Sequence, residues 1–312
     1  MTQRVTDVVV AIDVGGTGMK CALIDTNGAI LHTERHATGA ERGPGAVIGT
    51  LLGVGEGLAG KARADGYTPV AAGLVVPGVV DEDEGVAVWA ANVGFRGTPV
   101  RQLLTDHLRL PVALGHDVRA GGLAEARLGG GRGRRHVWFV AIGTGIAGAH
   151  VVDGHAFAGA HGGAGEIGHV VVRPGGSPCG CGATGHLEAE VSARAVGRRY
   201  SERAGVAATA RDVFERATAG EALAREVWAE CVDVLADGLL IGMTMYDPEV
   251  IVVGGGLAEA GAALLDPLSA ALAAKVTFQR LPELTRAALG DEAGCLGAGQ
   301  LALDLVGGGR LD

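Results

Sequence analysis

Val137-Trp-Phe-Val-Ala-Ile142-Gly143-Thr144-Gly145-Ile-Ala-Gly148-Ala-His-Val-Val-Asp153-Gly154 repeats a pattern already present near the start of the chain. There, Val8-Val-Val-Ala-Ile12 runs into Asp13-Val-Gly15-Gly16-Thr17-Gly-Met-Lys20, then Cys21-Ala-Leu-Ile24 and Asp25-Thr-Asn27-Gly28. Both stretches read as a buried apolar strand, a Gly/Thr turn, a second apolar strand and an Asn-Gly or Asp-Gly hairpin. Such an echo predicts two similar lobes, each opening on antiparallel strands. Facing each other across a cleft, two glycine-threonine turns would clamp one nucleotide. Glycines such as Gly15 and Gly16 let backbone N–H groups come close to an anion. The first turn is neither a dinucleotide fingerprint nor a Walker A loop. Asp13, at the end of its strand, could hold Mg²⁺ through water, which suits an ion that dehydrates reluctantly.

A second stretch carries metal chemistry. Glu166-Ile-Gly-His169 is followed by Cys179-Gly-Cys181-Gly-Ala-Thr-Gly-His186-Leu-Glu188. His169, Cys179, Cys181 and His186 are thiol and imidazole donors at loop spacings, a set that suits tetrahedral Zn²⁺. Glycines and prolines between them support a chain that wraps an ion. Glu166 and Glu188 flank the loop and are not preferred structural zinc ligands, so they are available to accept hydrogen bonds from hydroxyls.

Composition narrows the class. The chain has 312 residues, 48% hydrophobic and 20% charged, which predicts two lobes with sizeable cores. A formal charge of −9 argues against a nucleic-acid partner. No apolar run reaches the roughly 18 residues that span a bilayer, and no signal-peptide pattern is present. Five cysteines in a chain of this length do not make a disulfide framework, so a soluble cytoplasmic protein is expected.

Between these stretches the pattern predicts helices over 45–64, 99–108 and 118–128, and strands over 70–76 and 111–115. The latter strand delivers His116-Asp117 to its C-terminal end, where open α/β sheets bind ligands. Asp117 is equally readable as a helix cap. Residues 129–135 read as a flexible basic connection between the lobes. Helices are expected over 187–204, 210–217 and 222–246, then a strand over 249–253. Gly254-Gly255-Gly256 comes next, with a helix from about Leu257, an anion- or nucleotide-tolerant junction. A second buried segment is expected near 284–289, a last helix over 295–305 and a frayed tail over 307–312.

Taken together, the motifs resemble the ROK family, in particular its bacterial glucokinase-like sugar kinases, over nearly the whole chain. Residues 13–17 resemble its first phosphate motif, 143–148 its second, 247–256 its adenosine-side segment, and Glu166 to Glu188 its metal-loop signature. The resemblance implies an α/β, two-lobed actin-like ATPase (ribonuclease H-like) fold with an interlobe cleft. It places the smaller lobe at 1–117, completed by a helix from about 296 to 312, and the larger, zinc-carrying lobe at 118–295. It implies Asp117 as catalytic base, Asn92, His116, Glu166, His169 and Glu188 at sugar-contacting positions, and His169 as a zinc ligand as well. Gly15 to Thr17, Gly143 to Gly145 and Gly254 to Gly256 would bind the nucleotide. ATP with Mg²⁺ and a hexose, most simply glucose at its 6-hydroxyl, are the implied substrates, with structural Zn²⁺ and a homodimer or homotetramer.

Two positions depart from the family pattern. His186 stands where a third cysteine is usual, a swap that zinc tolerates. His116 stands where an asparagine usually touches the sugar. This opens two alternatives: a kinase for another hexose, such as N-acetylmannosamine or fructose, or a catalytically weak sugar-binding regulator. Only seven residues precede Val8, so the DNA-binding extension of the family's repressors is not expected.

Overall fold

The computed structural model describes residues 6–307. Contacts divide it into two compact units: residues up to Ala124 with Ala158–Ala164 and those from Asp291, and Glu125–Phe157 with Gly165–Gly290.

The first unit contains β1 (Asp7–Val14), β2 (Gly18–Asp25), β3 (Ile30–Ala37), α1 (Pro44–Ala64), β4 (Thr68–Val76), β5 (Val79–Asp81), β6 (Val86–Ala90), β7 (Phe95–Thr98), α2 (Val100–Leu108), β8 (Val112–His116) and the start of α3 (Asp117–Leu128). The second contains β9 (His136–Ile142), β10 (Ile146–Val152), β11 (His155–Ala156), α4 (Leu187–Val191), α5 (Ala193–Ala204), α6 (Ala210–Thr218), α7 (Ala222–Tyr246), β12 (Val250–Gly254), α8 (Ala262–Lys275) and β13 (Glu283–Arg286). The closing helix, α9 (Ala293–Gly307), belongs to the first unit.

The echo in sequence is an echo in topology. One five-stranded sheet runs β3-β2-β1-β4-β8 and the other β11-β10-β9-β12-β13, the same order position for position. In each, the first three strands form an antiparallel meander and the last two join in parallel. Strands covered on both faces read as continuous apolar runs. Val8 to Ile12 and Val250 to Val253 fit this, each residue at most 1% exposed. Each unit has its own core: Ile12, Leu58, Leu74 and Phe95 lie in one, Trp138, Leu187, Leu239 and Ile251 in the other. Helix α9 lies so close to β4 that a Cβ on Gly73 would sit 1.8 Å from the Ala298 carbonyl oxygen; only glycine fits there.

Several expectations change. The run over 187–204 breaks at Ser192, which leaves helical geometry and accepts a hydrogen bond from the Ala195 N–H, capping α5. Residues 129–135 are not a free connection between lobes but lie within the second unit. Their glycines turn around buried Glu125, whose carboxylate accepts from Gly130, Ala288 and Leu289 N–H groups, while Arg134 and Arg135 pair with Glu283 and Asp153. The segment near 284–289 forms a short, half-exposed edge strand, β13. The helix expected from about Leu257 begins as a 3-10 turn over Gly256–Ala260, and the α-helix, α8, starts only at Ala262. Strands β5, β6 and β7 form a third, three-stranded sheet that local pattern did not predict. The first unit also takes in 118–124 and 158–164, segments expected in the larger lobe. Arg119 binds both there, donating to the Glu82 carboxylate and to the Gly162 carbonyl. Residues 308–312 of the expected tail lie outside the described residues.

Candidate active site

In the first unit the β1–β2 turn is closed by the Gly15 N–H donating to the Gly18 carbonyl at 2.9 Å, and braced by the Thr38 hydroxyl donating to the Gly15 carbonyl at 2.6 Å. Gly16 and Thr17 stand at its tip. Asn92, in the loop between β6 and β7, packs on this turn, with its Cβ only 3.1 Å from where a Cβ on Gly16 would lie. Asp13 precedes the turn. Burial lifts its pKa from the usual 3.8 to about 6; Lys20 opposes the rise, while Asp117, Asp291 and Glu292 add to it. A carboxylate that is costly to ionise and has carboxylate neighbours is a fitting anchor for a hydrated divalent cation, whose charge relieves that repulsion.

Strand β8 ends at His116, and Asp117 begins α3. Both readings of Asp117 apply to its position, since its Oδ1 accepts from the Val118 N–H at 2.7 Å while the side chain stays 33% exposed. His116 is buried at 7% exposure. Its Nε2 lies 3.3 Å from Asp117 Oδ1, and its Nδ1 accepts from the Arg119 N–H at 3.4 Å. Burial first, then the Arg119 charge, push the His116 pKa down to about 4. Glu82 and Arg119, which frame this corner, were absent from the sequence-derived set. Glu82 Oε1 accepts from the His116 N–H at 3.1 Å and from the Arg119 guanidinium at 2.8 Å. Arg119 had one local signal, its place in the first turn after Asp117; Glu82 had none, because it comes from 34 residues upstream.

In the second unit the β9–β10 turn carries Gly143, Thr144 and Gly145, closed by the Gly143 N–H on the Gly145 carbonyl at 2.9 Å. Glu188, in the first turn of α4, is tied to it by accepting from the Ile146 N–H at 3.0 Å. A Cβ on Gly145 would lie 2.4 Å from Glu188 Oε2, so the glycine permits the approach. Glu166 stands at the start of the 3-10 turn that carries His169, its carbonyl accepting from the His169 N–H at 3.0 Å, and its carboxylate lies 3.9 Å from His169 Nε2.

The opposite ring nitrogen of His169 faces the metal loop. Ligand atoms of His169, Cys179, Cys181 and His186 all lie within 4.8 Å of one another. The two Nδ1 atoms are 3.4 Å apart, Cys179 Sγ is 3.7 Å from His169 Nδ1, and Cys181 Sγ is 3.3 Å from His186 Nδ1. A tetrahedron with Zn–N near 2.05 Å and Zn–S near 2.3 Å has edges of about 3.3–3.8 Å. The donor set therefore suits Zn²⁺ in kind, and these three separations match such edges. The loop is also held from outside: Glu190 accepts from the Ser177 N–H at 2.6 Å and pairs with Arg199, and Arg173 pairs with Asp237.

Gly254, Gly255 and Gly256 leave β12. A Cβ on Gly255 would sit 2.5 Å from the Ile142 carbonyl oxygen, so this glycine also serves close packing on β9. Beside Gly256 lies a cavity of about 240 Å³ lined by Arg211, Phe214, Glu215, Trp228, Leu257 and Glu259. The Phe214 and Trp228 rings, 5.5 Å apart, give it an aromatic wall that the sequence pattern did not assign.

A sequence profile described as the ROK family matches residues 9–305. A glucokinase of Halalkalibacterium halodurans is 34% identical, the match covering 94% of each chain. A crystal structure of a ROK hexokinase from Thermus thermophilus is 32% identical, with a TM-score of 0.85 over 97% of this chain and 100% of that one. A ROK family glucokinase from Streptomyces griseus, solved with glucose and AMPPNP, is 27% identical, with a TM-score of 0.77 over 95% of this chain and 99% of that one. The fold these structures share is the actin-like ATPase fold of ROK sugar kinases. With the repeated sheets and both phosphate-type turns, they show that the chain belongs to the ROK family.

Proposed function

We propose that this sugar kinase transfers the γ-phosphoryl group of ATP to a hexose, glucose at its 6-hydroxyl in the first instance, with Asp117 as general base. The observation that carries the reading is the corner at the end of β8: a part-exposed carboxylate at a helix start, in the same unit as Asp13 and the Gly15–Thr17 turn. Asp117 takes the proton of the attacking hydroxyl as its oxygen bonds to the γ-phosphorus, and ADP leaves. The transition state of such transfers is loose, so positioning and charge neutralisation dominate. The N–H groups of the turn at 15–17 in the first unit, and those of the turn at 143–145 in the second, are each suited to phosphate oxygens. Asn92 in the first unit, and Glu166, His169 and Glu188 in the second, are each suited to hydrogen bonds with hydroxyls, the carboxylates accepting them; Glu188 is anchored on the second turn. The cavity beside Gly256 takes the adenosine end. Mg²⁺ bound with ATP would be held through water by Asp13 and would neutralise charge on the transferring group. Zn²⁺ held by His169, Cys179, Cys181 and His186 would stiffen the loop that aims His169 and Glu188.

The 34% identity to a glucokinase supports glucose. A different hexose, such as N-acetylmannosamine or fructose, is the second reading, favoured by His116, whose ring nitrogens both face protein groups. The test is ADP release with Mg·ATP across glucose, mannose, fructose, allose, N-acetylglucosamine and N-acetylmannosamine. Turnover with glucose well above the sugar-free background is expected; a faster rate with another hexose selects the second reading. Silence across the panel from folded, zinc-loaded protein would overturn both.

A further inference from the structure

We propose that Trp228 contacts the nucleotide, its indole being the platform on which the base of ATP stacks, and that Pro267 is the residue that positions it. The inference rests on the reading of the cavity beside Gly256 as the adenosine end, and adds what holds its aromatic wall in place.

It starts from an interruption in α8. Pro267 lies inside that helix. A helical carbonyl accepts from the N–H four residues on, and proline has none to give, so the Ala263 carbonyl lacks its usual helical donor. Trp228, on α7, supplies the replacement: its Nε1–H donates to the Ala263 carbonyl at 3.1 Å. The indole has one donor and no acceptor, so this bond ties the nitrogen edge of the ring to α8.

The bond matters because packing alone does not fix the ring. The Phe214 and Trp228 side chains line two cavities, the one beside Gly256 and a second of about 340 Å³ whose other walls include Ala263, Pro267 and Ala271. A ring bordered by free volume in both lacks close-packed neighbours to set its angle. With Nε1–H engaged, Trp228 offers the first cavity only carbon and the π face. Such a surface takes a flat aromatic group by stacking and offers no hydrogen bond to a phosphate or a sugar hydroxyl. The base is the flat part of ATP. Helices α6, α7 and α8 and the Gly256–Ala260 turn all belong to the second unit, so the wall is complete within it.

The test uses ADP and, as a probe with charge but no base, tripolyphosphate. In ¹⁵N spectra of the wild-type chain, the Trp228 indole N–H, assigned through its own backbone, should shift on saturation with ADP and stay in place with tripolyphosphate. Trp228→Leu should weaken ADP binding about tenfold, the scale of one lost base–aromatic stack, with tripolyphosphate binding unchanged. Pro267→Ala gives the Ala263 carbonyl a donor from its own helix. That variant should be no less stable than wild type, its Trp228 indole N–H should exchange faster with solvent, and ADP should bind at least about threefold more weakly. A Pro267→Ala chain that keeps its ADP affinity overturns the positioning role. A Trp228 signal that ignores saturating ADP, or moves equally with tripolyphosphate, overturns the base contact whether or not Trp228→Leu folds, and leaves the kinase reading standing. A wild-type chain that binds no ADP and turns over no hexose overturns the kinase reading and the proposal with it.

Discussion

Asp13→Asn should make the protein more stable while impairing phosphoryl transfer. In the fold, burial lifts the Asp13 pKa from 3.8 to about 6, the attraction of Lys20 being outweighed by desolvation together with Asp117, Asp291 and Glu292. A raised carboxyl pKa means that the native state binds more protons than the unfolded state between those two values. Stability from this group is therefore fully present below pH 3.8 and is lost as pH rises through about 6. At pH 8 the ionised group costs about 3 kcal/mol relative to a neutral one, at about 1.4 kcal/mol per pKa unit. Asparagine keeps the shape and removes the charge. In Mg²⁺-free buffer at pH 8 the variant should thus gain up to about 3 kcal/mol, with Tm rising by about 5 °C or more for a unit of this size. At pH 4 the difference between variant and wild type should shrink toward zero; any zinc lost at that pH is lost from both. Calorimetry of the two proteins at both pH values reads this directly. Mg²⁺ should stabilise the wild type more than the variant, and turnover should fall about 100-fold or more. A variant no more stable than wild type at pH 8, or a gain that persists undiminished at pH 4, would refute the reasoning.

Asp117→Asn should remove at least about 10²–10³-fold of kcat with the thermal transition little changed; near-native turnover would sink the base assignment. Metal analysis of freshly purified protein should find one zinc per chain, and Cys179→Ser should lower both zinc content and Tm; zinc-free protein with an unchanged transition would remove the metal from the account. Gly145→Ala should push Glu188 away, since the added Cβ falls 2.4 Å from Oε2, and cut kcat/KM about tenfold or more, whereas Gly143→Ala meets open space and should leave Tm unchanged. Glu125→Ala orphans the N–H groups of Gly130, Ala288 and Leu289 and should destabilise by roughly 3 kcal/mol or more at about 1–3 kcal/mol per buried donor; denaturant unfolding measures it, and a loss under 1 kcal/mol would contradict the burial argument.

Much of this protein was legible from short-range pattern. The echo between 8–28 and 137–154 is written in apolar runs and Gly/Thr turns, which depend on the local backbone, and it anticipated two meanders that sit in identically ordered sheets. The metal loop was readable for the same reason: its four donors lie within 18 residues, and their loop spacing is itself what allows them to meet. Asp117 and Glu188 came from motif resemblance. Pairings between distant segments are what the sequence could not display. Glu82 reaches His116 and Arg119, the carboxylate of Glu125 closes a turn and also holds Ala288 and Leu289, and Glu188 rests on Gly145. None of these residues carries a local sign of its partner. The break at Ser192 was hidden because a run of good helix formers surrounds it, and only the cap on Ala195 reveals it. The state of His116 and Asp13 is likewise a property of the folded chain: the protonation of a side chain depends on how deeply it is buried and which charges surround it, and a linear sequence specifies neither.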